Sequence, residues 1–316
     1  MLNRRYLRIK VYHVLYTFQQ SHDASAAKLE KELFLSIERT FDLYVSLLLL
    51  FGELRDQAES HMAERKLKRL PTAGDLNPDR RFIDGAILTA LANSPRVQKE
   101  AEERKVNWMG HGEWLTKLYR EIETSELYRN YMAAPGTGFA QERAFLTELF
   151  TEHIANSEGL HDMLEGRTIH WMEDLDLACT LLKRRLETLR EGSLSNDSVG
   201  ELERMDSDEE EFVRTLFRRT IDLGAEHEKL ISEKASNWES ERIAVTDMLL
   251  MKMALTEVRE LSQIPVKVTL NEYIEIAKAY STPKSKNFIN GVLDALFIEM
   301  KNDGRIVKLG RGLIEN

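Results

Sequence analysis

The sequence predicts an all-α fold, and three observations carry that expectation. Only 6 prolines and 16 glycines punctuate 316 residues, while Leu, Glu, Lys, Arg, Ala and Met, which lose little on entering a helix, recur throughout. Apolar residues return at intervals of three and four along most of the chain. The strongest turn signals, Pro71 to Pro78 and Pro135 to Gly138, are short, so long helices joined by brief connections are expected. A hydrophobic content of 42% is enough to bury a core in a chain of this length, which excludes a disordered tail protein.

Leu7, Val11, Val14, Leu15 and Phe18 form the apolar stripe of an opening helix, and Arg4, Arg5, Arg8 and Tyr12 share its other side. Ser21 to Ser25 ends that helix. From Leu29 to about Lys68 the pattern predicts a long helix or helix pair, with Leu33, Ile37, Phe41, Tyr44, Leu48 and Leu54 on a buried seam. Pro71, Gly74 and Pro78 stop it. Mixed helices follow from Arg80 to Arg190, broken at Pro95, at Gly110 to Gly112 and at the Pro135 turn. Gly192 to Gly200 reads as a linker, which divides the chain into an N-terminal helical region, 1–204, and a C-terminal bundle core, 205–316.

In that core, helices are expected at about 208–235, 239–262, 269–281 and 285–302. Ser207 with Glu210, and Thr269 with Glu272, stand in capping-box spacing. Ile243, Leu249, Leu250, Met253 and Val258 mark one buried stripe; Ile289, Val292, Leu293, Leu296 and Met300 mark another.

Composition also limits function. The single cysteine, Cys179, can form no intrachain disulfide and offers no thiolate cluster, which suits a reducing compartment. The basic N-terminus lacks the apolar run and cleavage site of a secretory signal. The most apolar run, Val45 to Phe51, is far shorter than the roughly 20 residues that span a bilayer. A soluble cytoplasmic protein without membrane partners is expected. A net charge of −9 argues against nucleic-acid binding by the whole surface, but Arg4, Arg5, Arg8 and Lys10 gather at one end, and Asp206 and Asp208 to Glu211 form an acidic run elsewhere.

No phosphate-cradling loop, nucleophile elbow or H-E-x-x-H pair is present, so no enzyme, cofactor or metal site is expected. His153, His161 and His170 read as surface or partly packed side chains. Single-stranded RNA is held by cations along its backbone and by flat rings on which bases stack. Arg4, Arg5, Arg8, Lys10 and Tyr12 on the first helix offer both, as does the set Lys284, Lys286, Asn287 and Phe288 before the last one. Lys267 can reach a phosphate as a point charge. Against this stand plainer readings, in which the charges form a solvated helix face and Tyr12, Tyr16 and Phe288 pack at the edge of the core.

The C-terminal third resembles the NusB family. Its Pro, Lys, Val step and the Asn-Glu helix after it match Pro265, Lys267, Val268, Asn271, Glu272, Ile274, Glu275, Ala277 and Lys278. Phe288 to Asp294 reads F-I-N-G-V-L-D against that family's F-V-N-G-V-L-D. Ile243, Asp247, Leu250, Ala254 and Glu257 are similar to its central helix, and the basic start with Val14, Leu15 and Tyr16 resembles its opening one. These matches cover about 1–30 and 205–302. The stretch between them has no counterpart in the short members, so the resemblance implies a NusB-like helical bundle with a large helical insertion after the first helix.

It further implies an RNA-binding transcription antitermination factor. Such a factor binds boxA-type single-stranded RNA together with the ribosomal protein NusE, and acts with RNA polymerase on ribosomal RNA operons. Under the same resemblance, the first helix and Lys284 to Phe288 are RNA contacts, and Asp247 is an outward acidic contact for NusE. Two rivals remain: a protein-binding helical scaffold without RNA affinity, and the NusB-like domain of an RNA cytosine methyltransferase. For the latter, the short stretch after the last helix leaves no expected room for catalysis on that side.

Overall fold

A computed structural model describes residues 3–21, 25–136, 138–166, 169–197, 205–235 and 243–313. The described residues are helical, without strands. The chain divides into two compact units, residues 1–37 with 203–316 and residues 38–202. None of the described helices is long and apolar enough to cross a membrane.

Helix α1 (Arg4–Gln20) begins where the Asn3 side chain accepts from Tyr6 N at 2.9 Å. It turns Leu7, Val11 and Leu15 into the core, while Val14 and Phe18 are half-buried. Helix α2 (Ala26–Lys66) is one continuous element, without the division that the sequence left open. Leu33, Ile37, Phe41, Tyr44, Leu48 and Leu54 are buried along it, and the run Val45 to Phe51 is core throughout apart from half-exposed Leu49.

The unit of residues 38–202 continues with α3 (Ala73–Leu76), α4 (Ala86–Ala92), α5 (Pro95–Arg104), α6 (Gly112–Thr124), α7 (Glu126–Ala133), α8 (Phe139–Leu149), α9 (Glu158–Glu165) and α10 (Ile169–Thr188). Its core joins the Leu43 to Ala58 face of α2 to Ile83, Ile87, Leu118, Ile122, Leu149, Phe150 and Leu182. Two helix ends here are satisfied from a distance. The α4 N-terminus has no local cap at Gly85; Ile87 N and Leu88 N donate to Glu142 Oε1 at 2.9 and 3.0 Å, and a Cβ at Gly85 would lie 2.3 Å from that oxygen. Arg81 likewise caps α7 by donating to the carbonyls of Tyr131 and Ala134. Burial pushes the Cys179 thiol up to about 12, so it stays protonated in this core. Gly192 to Gly200 contains a 3₁₀ turn at Glu191–Asn196; residues 198–204, including the expected boundary at 204, lie outside the described residues.

The other unit is completed by α11 (Ser207–Asp222), α12 (Gly224–Ala235), α13 (Val245–Glu260), α14 (Val266–Tyr280) and α15 (Ser285–Asn302). The helix expected over 208–235 is therefore two, divided at Leu223, and residues 239–242 of the next lie outside the described set. Helix α13 is the hub: α1, α11, α12, α14 and α15 all pack on it, and every residue from Leu249 to Val258 is buried. Such a helix has no solvated face, so more of it is core than its apolar stripe alone indicates. Glu30 of α2 receives Arg214 and Arg218 of α11 at 2.7 Å each, and those guanidinium groups hold its carboxyl below the usual range.

Both expected capping boxes shift in the structure. Helix α11 is capped by Asp206, which accepts from Glu209 N at 2.8 Å while its own N–H reaches Glu209 Oε2. The box is one residue earlier than the Ser207–Glu210 pair because an aspartate carboxylate caps as well as a hydroxyl. Helix α14 begins at Val266 after Pro265, so Thr269 lies inside it with its hydroxyl engaged elsewhere.

Candidate nucleic-acid interface

Arg4 and Arg8 stand one turn apart on α1, and their guanidinium groups each lie 5.4 Å from the centre of the Phe212 ring of α11. There the likeness ends. Arg8 is 2% exposed; its Nε and Nη2 donate to the two oxygens of Glu257 at 2.7 Å. The same carboxylate, fully buried on α13, accepts from Thr269 Oγ1 at 2.7 Å and Tyr273 OH at 3.3 Å, both on α14. One carboxylate thus ties three helices, α1, α13 and α14. The expectation that Arg8 contacts RNA is corrected: its charge is spent inside the bundle. Burial and the adjacent Glu257 charge push the Tyr273 hydroxyl well above its usual range, so it remains a donor.

Arg5 is exposed and forks onto Glu272 with two bonds of 2.8 Å. That hydrogen-bonded pairing raises the Arg5 pKa from its ordinary value. Glu272 also lies 3.6 Å from Arg8 Nη1, so it is shared between a surface cation and a buried one. Over this floor lies a groove of about 730 Å³ whose walls include Asn3, Arg4, Arg5, Pro265, Lys267, Val268, Asn271, Glu272 and Arg311. Lys267 sits in the first turn of α14, and no side chain caps that helix. Its amide end therefore adds partial positive charge to the same groove. Among the charged side chains that line it, cations far outnumber the one carboxylate, Glu272.

The remaining expected residues are placed differently. Lys10 is buried at 4% with its ammonium 5.4 Å from the Tyr6 ring centre, and Tyr12 is buried at 5%, so neither is an exposed RNA contact; they close the core beneath α1. Tyr12 instead supports an aromatic group with Tyr16 at 6.1 Å and Tyr280 at 5.5 Å, and His13 meets Tyr280 edge-on at 5.1 Å. Tyr16 and Tyr280, 39% and 38% exposed, are the tyrosines of this group that reach solvent.

Lys284 and Lys286 are exposed, and Phe288 is half-buried. They begin α15 just after α14 ends, at the opposite end of α14 from the groove. Fifteen residues at the helical rise put those ends roughly 20 Å apart, and Tyr280, the last residue of α14, with the Tyr12 ring against it, lies at the end nearer Lys284. Asp247, expected to face a protein partner, is buried at 5% and accepts from the Ser281 hydroxyl; it joins the start of α13 to the end of α14. Of the acidic run, Asp206 and Glu209 are used as the α11 cap. His161 Nε2 faces the Ala155 carbonyl at 3.3 Å, His153 lies in the π-helical turn Phe150–Ala155, and the His170 side chain lies outside the described residues. Among the described residues no cluster of His, Cys, Asp or Glu has the arrangement to hold a metal ion.

Arg311, Tyr280 and Glu272 are the residues that sequence reasoning missed as parts of this surface. Tyr280 ends a helix that was expected, one turn beyond its buried stripe, so its exposure was readable. Arg311 lies between two glycines after the last helix, where no periodicity points inward or outward.

Comparison with known proteins places this bundle. The NusB family profile matches residues 177–297, from within α10 to α15 and so from earlier than the expected 205; α1 lies outside that span. The transcription antitermination protein NusB of Salinibacter ruber is 46% identical over 104 residues, which cover 33% of this chain and 65% of that protein. The protein of the same name from Chloroherpeton thalassium is 37% identical over 133 residues, 42% of this chain and 61% of that one. That from Listeria monocytogenes is 36% identical over 89 residues, 28% of this chain and 70% of its own length. The chain thus spans less than two thirds of the first two relatives. No solved structure matches it. Since the Listeria monocytogenes protein is 36% identical with 70% of its length covered, and the family profile spans α11 to most of α15, the chain belongs to the NusB family.

Proposed function

We propose that this chain is a transcription antitermination factor that binds single-stranded RNA in the groove between α1 and the start of α14. The observation that carries the reading is the convergence of Arg4, Arg5, Lys267 and Arg311 on one groove, at an uncapped helix N-terminus, in a chain that is otherwise acidic. The names of its relatives, transcription antitermination proteins, supply the process. In this reading the backbone phosphates lie in the groove, and Tyr16 and Tyr280 offer faces for unstacked bases further along α14. Lys284 and Lys286 extend the same track. The RNA is boxA-like, the protein partner is the ribosomal protein NusE, and the setting is the ribosomal RNA operon.

Fluorescence anisotropy with a labelled boxA-like RNA, against a scrambled one of equal length, tests this. Tighter binding of the boxA-like strand is expected, strengthened by added NusE. The logarithm of affinity should fall linearly with that of salt, by about 0.7 for each phosphate neutralised. Equal, weak binding of both strands with and without NusE is the result that rejects it.

A further inference from the structure

The segment after α15 runs back along the molecule and is fastened to the connection that precedes α14. Leu309 N donates to the Ser262 carbonyl at 3.1 Å, and Lys308 Nζ donates to that of Leu261 at 3.0 Å. Ile306 is buried, which holds the start of the segment. Gly310 takes φ +53, which favours glycine, and rests against the Gln263 side chain. Gly312 comes closer still: a Cβ there would lie 1.9 Å from the Ser262 carbonyl oxygen. Between these glycines stands Arg311, exposed and lining the groove beside Arg4, Arg5 and Lys267. Arg5 and Arg8 are each forked onto a carboxylate, whereas among the described residues Arg311 has no ion pair.

We propose that residues 305–313 form one wall of the RNA site and that Arg311 binds a backbone phosphate there. The inference rests on the RNA reading above and adds to it an element that lies beyond the matched family span of residues 177–297. An unpaired guanidinium costs no partner when it turns to a phosphate, and its fork suits two oxygens of one group. The paired glycines fix its position, because the strap can approach the connection so closely only without side chains at these points.

Anisotropy titrations of the full chain with labelled boxA-like RNA decide it, using Arg311→Ala, Arg311→Lys, Gly312→Ala and, as a control at an exposed residue of α12 that does not line the groove, Lys229→Ala. Arg311→Ala should bind about tenfold more weakly and lower the salt slope by about 0.7. Arg311→Lys should restore the slope but not all of the affinity, because it keeps the charge and loses the fork. Gly312→Ala should weaken binding with Arg311 still present, and Lys229→Ala should match the unaltered chain. If the unaltered chain binds RNA and Arg311→Ala binds it with the same affinity and slope, the inference is wrong while the RNA reading stands. The same holds if Arg311→Ala changes only capture of an acidic protein. Absence of RNA binding by the unaltered chain would remove both.

Discussion

Glu257→Ala is expected to destabilise the unit of residues 1–37 and 203–316 by about 3–5 kcal/mol, the cost of leaving a buried charge without its counter-ion. The reason is geometric. Arg8 is buried among α1, α11 and α13, and both of its terminal bonds go to this one carboxylate. Deleting Glu257 also strips an acceptor from Thr269 and Tyr273, two more buried hydroxyls. Glu272, at 3.6 Å and half-exposed, is too distant and too well solvated to take over. The paired replacement Arg8→Met with Glu257→Leu should cost less than Glu257→Ala, since it removes both charges together. Hydrogen exchange resolved by peptide should show lost protection in α1, α13 and α14, while the Leu43 to Leu189 core of the other unit keeps its own. Unchanged protection in all three helices would mean that the pair does not hold them together.

The joint replacement of Arg4, Arg5 and Lys267 by alanine should weaken binding of boxA-like RNA by about two orders of magnitude and reduce the salt slope by about 2. All three line the groove, and none is buried. Folding should survive. The Arg5–Glu272 pair is a surface ion pair, which contributes only about 0.2–1 kcal/mol, and half-exposed Arg4 contributes one cation–π contact to the Phe212 ring. Circular dichroism of the variant should therefore overlay that of the unaltered chain. Full RNA affinity in the triple variant would assign the groove another role.

What the sequence revealed and what it hid follow one physical division. Periodicity reports which face of a helix is buried, and on that basis the stripe Leu7, Val11, Leu15 and the seam from Leu33 to Leu54 were legible. It does not report whether a polar face meets solvent or a buried partner. Arg4 and Arg8 are equivalent on a helical wheel; only Glu257, 249 residues further on, takes Arg8 into the core. Asp247 reads as a surface charge for the same reason, since the hydroxyl that satisfies it belongs to Ser281 at the far end of the next helix. Tyr12 and Lys10 went inward because α1 is covered by α11, α13 and α14 together, more than one stripe's worth of neighbours. Within residues 38–202 the breaks at Pro95, Gly110 and Pro135 were visible, but the caps supplied by Glu142 of α8 and by Arg81, in the turn before α4, come from far along the chain and leave no local pattern.

In the proposed reading RNA lies along α1 and the start of α14. Photochemical crosslinking of a labelled boxA-like strand to the full chain, with adducts assigned to peptides by mass spectrometry, tests it most directly. Adducts should fall on residues 3–16, 263–288 and 305–313, and salt that abolishes binding should abolish them. Adducts confined to residues 38–202 would put the RNA elsewhere on the chain.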